Sequence, residues 1–117
     1  MATIIDLEKA KSLIKEYRTQ NSAAGGPALL TPDKKFHHGF FIDRQSLEDI
    51  LSNPKVAGIH ANFAKHPDFA GAKDNVFTMV YSGSEPAPAG APTAYVSTGN
   101  IYAGPPPCPP VCSDMGH

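Results

Sequence analysis

The stretch that decides the fold is residues 36–63, FHHGFFIDRQSLEDILSNPKVAGIHANF. Its aromatic first part predicts a strand over residues 36–43, and its glycine-containing last part predicts a second strand over residues 55–64. A short amphipathic helix is predicted between them over residues 44–52, and either Asp43 or Ser46 can cap its start. Asn53-Pro54 ends it because a residue before proline disfavours the helical region. The predicted buried side of this helix is Leu47, Ile50 and Leu51.

The N-terminal part of the chain predicts a longer amphipathic helix over residues 7–20. Asp6 is a suitable N-cap, because its carboxylate can accept hydrogen bonds from the free amides of the first turn. Apolar residues then recur at spacings of three and four, as one face of a helix requires. This apolar stripe is Leu7, Ala10, Leu13, Ile14 and Tyr17.

The C-terminal part of the chain predicts fewer regular elements. Residues 76–82 are rich in β-branched and aromatic residues and predict a third strand. Residues 83–92, GSEPAPAGAP, predict a long loop, since proline lacks the backbone donor that a strand or helix interior needs. Residues 93–97 predict a short edge strand, and the chain after Gly99 is expected to be irregular.

This order of elements predicts an α+β fold. We expect a single domain over residues 1–100, in which a three- to four-stranded, mainly antiparallel sheet packs against the long N-terminal helix. The second, short helix lies between the first two strands. Residues 101–117 form a proline- and cysteine-rich C-terminal tail.

Composition excludes some classes of function. The 117 residues carry 10 Lys and Arg against 11 Asp and Glu, which gives a net charge of −1 and no basic patch for nucleic acid. No apolar run is long enough to cross a membrane, and the first residues lack the apolar segment of a signal peptide. We therefore expect no nucleic-acid partner, no membrane association and a cytoplasmic location.

The strongest local chemical signal is the pair Cys108-Pro-Pro-Val-Cys112. The two thiols can form a short-loop disulfide, which requires Cα atoms within about 7 Å, or they can remain free. They can also supply two of the roughly four ligands of a zinc site, in which case the other ligands are histidines. A redox role is a further alternative, although the spacing is not the Cys-x-x-Cys of thioredoxin-like proteins.

His37 and His60 are the histidines best placed to join such a site. If the two strands pair in a suitable register, both side chains lie on the sheet face opposite the core. They are then candidate zinc ligands with the two cysteines, or a candidate ligand-binding pair. The alternative interpretation is two half-exposed histidines without a function.

The chain resembles a family of uncharacterised small bacterial α+β proteins. The resemblance lies in the amphipathic N-terminal helix, in the segments FFIDRQSLEDIL and VAGIHANFA, and in the C-terminal cysteine pair of the type CPPVC. It implies that the cysteine tail has a purpose, but it transfers no catalytic residue.

The sequence contains no catalytic motif that would indicate an enzyme. Neither a Gly-x-Ser-x-Gly elbow nor a His-Glu-x-x-His motif is present. The preferred hypothesis is therefore a non-enzymatic module that binds a protein partner or self-associates. The alternative is a metal- or redox-linked protein that uses Cys108 and Cys112, with no cofactor predicted other than a possible zinc ion.

Overall fold

Two helices and two antiparallel sheets form the structure, a computed structural model that describes residues 2–116, and they confirm the α+β fold. In chain order the elements are α1 (Leu7–Ser22), β1 (Gly39–Phe40), α2 (Arg44–Leu51), β2 (Gly58–Lys65), β3 (Phe77–Pro86), β4 (Tyr95–Ala103) and β5 (Pro107–Cys108). Short 3-10 turns lie at Pro67–Phe69 and Asp114–Gly116. The larger sheet has three strands in the order β2-β3-β4, and the smaller sheet pairs β1 with β5.

Both helices begin at the residues that the sequence predicts. The Asp6 carboxylate accepts from the Lys9 amide at 2.7 Å and caps α1. The Asp43 carboxylate accepts from the Ser46 amide at 3.0 Å and caps α2, and this hydrogen bond lowers the pKa of Asp43. In the part of the chain that the structure describes, neither helix is long and apolar enough to cross a membrane.

Strand register decides which side chains share a face of the main sheet. Phe63 pairs with Met79, and His60 pairs with Ser82. Because successive side chains along a strand point to opposite faces, Phe63 and Met79 share one face and His60 lies on the other.

Helix α2 packs closely against the centre of the first face. A Cβ at Gly83 would stand only 3.0 Å from a methyl of Val56 and 3.1 Å from one of Ile50. The Ser46 and Tyr81 hydroxyls meet at 3.0 Å.

The prediction of a loop over residues 83–92 is wrong at its start, because β3 continues to Pro86. Gly83 is needed there because it leaves room for the helix.

Strand β4 is longer than the predicted edge strand, and the chain after Gly99 is not irregular, since β4 continues to Ala103. Tyr81 pairs with Tyr102 whereas Gly83 pairs with Thr98, so a bulge interrupts the ladder. Gly99 lies in this bulge with φ of +74°. Glycine accepts that conformation without steric cost, so pairing resumes beyond it.

The first predicted strand is mostly absent. Only Gly39–Phe40 is a strand, and it pairs with Pro107–Cys108 rather than with the main sheet. The expected packing of Leu51 is also wrong, because 58% of this residue is exposed. The ends of short elements are set by partners that lie far away in the sequence, which a local pattern does not contain.

The predicted tail over residues 101–117 includes three β4 residues and all of β5. Its last residue, His117, lies outside the described residues. The division into a domain over residues 1–100 and a separate tail stays a prediction.

The core is small for a chain of this length. In the described part of the chain the buried apolar residues are Ile50, Val76, Tyr81 and Cys108. The accessible surface is 8308 Å², whereas a folded monomer of this mass exposes roughly 6,100 Å². The radius of gyration is 16.3 Å, against roughly 13 Å for a compact chain of this length. Much apolar surface is therefore left without a partner inside the chain.

Candidate functional site

An open, mainly apolar groove lies between α1 and the face of the main sheet that carries Phe63 and Met79. Its volume is about 540 Å³, within the range of small-molecule sites. We call it the apolar groove. The residues that line it are Leu13, Ile14, Tyr17, Leu29, Leu30, His37, His38, Gly39, Phe40, Phe63, Phe77 and Met79.

The helix wall of the groove is the later part of the apolar stripe of α1, namely Leu13, Ile14 and Tyr17. Leu13 is 51% exposed and Tyr17 is 36% exposed, while Ile14 is half-buried. The buried residue of this helix is instead the polar Asn21. The stripe predicted from the sequence thus exists, but it borders a cavity instead of filling a core.

A set of hydrogen bonds, which we call the Asn21 clamp, joins α1 to the backbone of Leu29 and His37. The Asn21 side chain accepts from the Leu29 amide at 2.6 Å and donates to the Leu29 carbonyl at 3.1 Å. The Tyr17 hydroxyl donates to the His37 carbonyl at 2.7 Å, and the His37 amide donates to the Leu29 carbonyl at 2.8 Å. Burial raises the pKa of Tyr17, which keeps its hydroxyl protonated as a donor.

The sheet wall of the groove is aromatic and open. Phe77 and Met79 are half-buried on the central strand β3, while Phe63 on the neighbouring β2 is 84% exposed. An almost fully exposed phenylalanine beside an unfilled groove leaves a continuous apolar surface in water.

His37 is a polar residue among those that line the apolar groove. The residue is only 7% exposed, and its ring centre lies 4.4 Å from that of Phe40. Its Nε2 is buried and has no hydrogen-bond partner among the described residues. Burial, and then the neighbouring His38, lowers the pKa of His37 below its ordinary value, so the imidazole is neutral at pH 7.

The two cysteines lie beside the groove, at the end of β5. The structure joins Cys108 and Cys112 in a disulfide with Cα atoms 4.9 Å apart. The Cys108 carbonyl accepts from the His38 amide at 2.7 Å, and Gly39 pairs with Cys108 in the small sheet. The cysteine loop therefore supports the segment that carries His37. Formation of the disulfide in the purified protein stays a prediction.

The structure does not assemble the predicted zinc ligands. His37 lies in the groove, whereas His60 is exposed on the other face of the main sheet. Because β1 pairs with β5 and not with β2, the expected meeting of His37 and His60 does not occur. Within residues 2–116 no cluster of three or more His, Cys, Asp and Glu side chains is suited to hold a metal ion.

Of the polar residues at the site, His37 was a predicted site residue, whereas Asn21 was not predicted. Asn21 continues the helical spacing of Ile14 and Tyr17, so a polar residue within an apolar stripe was the available signal. Its partner, the Leu29 backbone, lies in a loop whose path the sequence pattern does not specify.

Comparison of the chain with protein-family models, with curated proteins and with solved structures finds no match. What is shown is a small α+β protein with an N-terminal helix and a C-terminal cysteine pair. The resemblance to small bacterial proteins stays a prediction.

We predict that the disulfide forms and stabilises the small sheet. A Cys112→Ser variant should lose about 2 kcal/mol of unfolding free energy, the value expected for so short a loop. Cys112 is the better choice because it is half-buried, whereas Cys108 is buried and its substitution also disturbs packing. Urea unfolding with and without reductant measures the effect. Mass spectrometry should show that the unreduced wild type is lighter than the reduced wild type by two hydrogen atoms.

Reductant is the internal control for this prediction. It should lower the stability of the wild type to that of Cys112→Ser and leave the variant unchanged. Equal stability of all four samples would contradict the prediction.

Proposed function

We propose that this protein is a non-enzymatic binding protein that holds a small apolar molecule in the apolar groove. The observation that carries this proposal is the groove itself, about 540 Å³ between an apolar helix stripe and an aromatic sheet face. Transfer of apolar surface out of water supplies roughly 25 cal/mol per Å². A ligand that contacts both walls removes their apolar surface from water, and this burial supplies binding free energy.

The excess of accessible surface supports the proposal. The chain exposes about 2,200 Å² more than a folded monomer of its mass. Leu13, Tyr17 and Phe63, which border the groove, contribute part of this surface. A bound molecule would cover these side chains and complete the core on that side.

The chemistry of the groove favours binding over catalysis. Among its described lining residues, the side chains that can take part in acid–base chemistry are Tyr17, His37 and His38. The Tyr17 hydroxyl is committed to the His37 carbonyl, and no serine, cysteine or carboxylate joins them as a nucleophile or second acid.

A fluorescence titration with N-phenyl-1-naphthylamine, an uncharged apolar probe, tests the groove. We expect saturable binding of one probe per chain. A Leu13→Glu variant should weaken binding by about tenfold or more, because the new carboxylate must lose water beside the bound probe.

Leu7→Glu is the matched control. Leu7 lies on the same helix and is 55% exposed, much as Leu13 is, but it is not among the residues that line the groove. Equal binding by Leu7→Glu and the wild type, with loss only in Leu13→Glu, supports the proposal. Non-saturable binding, or equal loss in both variants, would refute it.

Self-association through β2 is a second candidate function. This strand lies at one edge of the main sheet, and its residues 60–63 are exposed. An edge strand offers unpaired backbone groups to another strand, and charges or prolines normally discourage such pairing. Between Gly58 and Ala64 this strand contains no proline and no Asp, Glu, Lys or Arg.

Light scattering over a concentration series tests this candidate. If β2 pairs with β2 of a second copy, Phe63→Lys should raise the dissociation constant at least about tenfold, since each copy then brings a charged group that must lose water at the interface. Ile101→Lys is the control, because Ile101 is 67% exposed on the other edge strand, β4. A wild type that stays monomeric, or an equal effect of Ile101→Lys, would exclude this interface.

A cytoplasmic location remains part of the proposal, and it conflicts with the cysteine geometry. Disulfides are rare in the reducing cytosol and common in oxidising compartments. A stable disulfide would therefore favour an oxidising compartment, and free thiols would favour the cytoplasm. The alternative of a redox-linked protein that uses Cys108 and Cys112 depends on the same measurement of their thiol or disulfide state.

A further inference from the structure

We infer that the sheet face opposite the apolar groove binds a neutral sugar in a shallow trough along β3. This inference goes beyond the proposed function, because the trough lies on the other side of the main sheet and shares no lining residue with the apolar groove. Its volume is about 300 Å³, at the lower end of the range for small-molecule sites. We call it the hydroxyl trough. The residues that line it are His60, Asn62, Val80, Ser82, Ser84, Tyr95, Ser97 and Ile101.

The central strand supplies the floor of the hydroxyl trough, and the two outer strands supply its walls. Because side chains alternate along a strand, the register places Ser82 and Ser84 of β3 on the same face as His60 of β2. Ser84 is only 7% exposed, whereas Tyr95 on β4 is 51% exposed. His60 and Asn62 on β2 are exposed as well. Small side chains between larger ones therefore leave a depression that a small molecule can enter.

The floor of the trough carries hydroxyl groups that can exchange hydrogen bonds with a ligand. The Ser82 and Ser97 hydroxyls meet at 2.7 Å and orient each other. The Ser84 hydroxyl has no hydrogen-bond partner among the described residues, although Ser84 is more than nine-tenths buried. Its oxygen is not fully enclosed, and the residue lines the trough. A buried hydroxyl normally has a partner, so this one favours a ligand that brings polar groups to the floor.

The composition of the trough favours an uncharged ligand with several hydroxyls. None of its described lining residues is Lys, Arg, Asp or Glu, so a phosphate, carboxylate or ammonium group would find no counter-charge. The serine hydroxyls and the Asn62 amide can both donate and accept hydrogen bonds, as sugar hydroxyls do. Tyr95 and Ile101 add apolar surface on the β4 side, against which the C–H face of a sugar ring can pack. A purely apolar molecule would leave the hydroxyls of the floor unpaired.

Titrations followed by protein NMR test the inference, since this method detects the weak binding expected when sugar hydroxyls replace water. The probes are methyl β-D-glucopyranoside, methyl β-D-galactopyranoside and methyl α-D-mannopyranoside. Tetrahydropyran, the same ring without hydroxyls, is the matched control ligand. We expect at least one of the sugars to bind with a dissociation constant on the order of 1 mM. It should shift the Asn62 side-chain amide and the backbone amides of Ser82 and Ser84, with those of α1 unchanged. Tetrahydropyran should bind at least about tenfold more weakly.

Two variants locate the bound sugar. Tyr95→Ala should weaken its binding by about tenfold, the effect of losing one packed aromatic ring. Ser84→Ala removes only the hydroxyl and should weaken binding by about threefold to tenfold. Val96→Ala is the matched control and should bind as the wild type does, because Val96 is the next residue on β4, is 42% exposed and does not line the trough.

Every outcome bears on the inference. Loss of binding in Tyr95→Ala and Ser84→Ala, with none in Val96→Ala, would support it. The inference would be overturned if none of the sugars shifts these resonances at concentrations about tenfold above the expected dissociation constant. Equal binding of tetrahydropyran, equal effects of all three variants, or shifts confined to the apolar groove would overturn it as well. The proposed function is tested separately, with N-phenyl-1-naphthylamine.

Discussion

The buried side-chain amide of Asn21 fixes the position of helix α1, and the groove depends on that position. The side chain is 1% exposed and exchanges two hydrogen bonds with the Leu29 backbone. An alanine here would leave the part-buried backbone amide of Leu29 without its hydrogen-bond partner, at a cost of roughly 1–3 kcal/mol. Amphipathic helices usually dock through their apolar stripe, whereas this one is held through a polar residue near its end. The stripe is thus left facing a cavity.

The two halves of the main sheet face differ in what covers them. Near Gly83 the face is covered, because the side chains of Ile50 on α2 and of Val56 leave no room for a side chain at this position. Near Phe63 and Met79 the face is open, because the apolar groove separates it from α1. The covered half contains buried residues such as Ile50 and Tyr81, which stabilise the sheet. The open half of the same sheet is then available to bind a ligand. Rigid frames with one open apolar surface are typical of preformed ligand sites.

The sequence predicted what local chemistry determines and missed what distant partners determine. The caps Asp6 and Asp43 and the antiparallel α+β architecture follow from spacing and turn residues, and the structure confirms them. The bulge at Gly99 and the pairing of β1 with β5 depend on contacts that are remote in the chain. The apolar stripe of α1 was predicted, but a stripe indicates which residues avoid water and not whether a core or a ligand covers them. Only the helix wall of the candidate site could therefore be predicted from the sequence.

Amide hydrogen exchange of an Asn21→Ala variant tests the central claim, that a polar clamp positions α1. An isolated helix of 16 residues is marginal in water, so its amides are protected chiefly while it is docked. We expect exchange in α1 that is about ten- to a hundredfold faster, the equivalent of leaving the Leu29 backbone amide without its partner, with the β2 and β3 amides unchanged. Asn62→Ala, an exposed asparagine on β2, is the control and should change neither. Unchanged protection of α1 in Asn21→Ala would contradict the account.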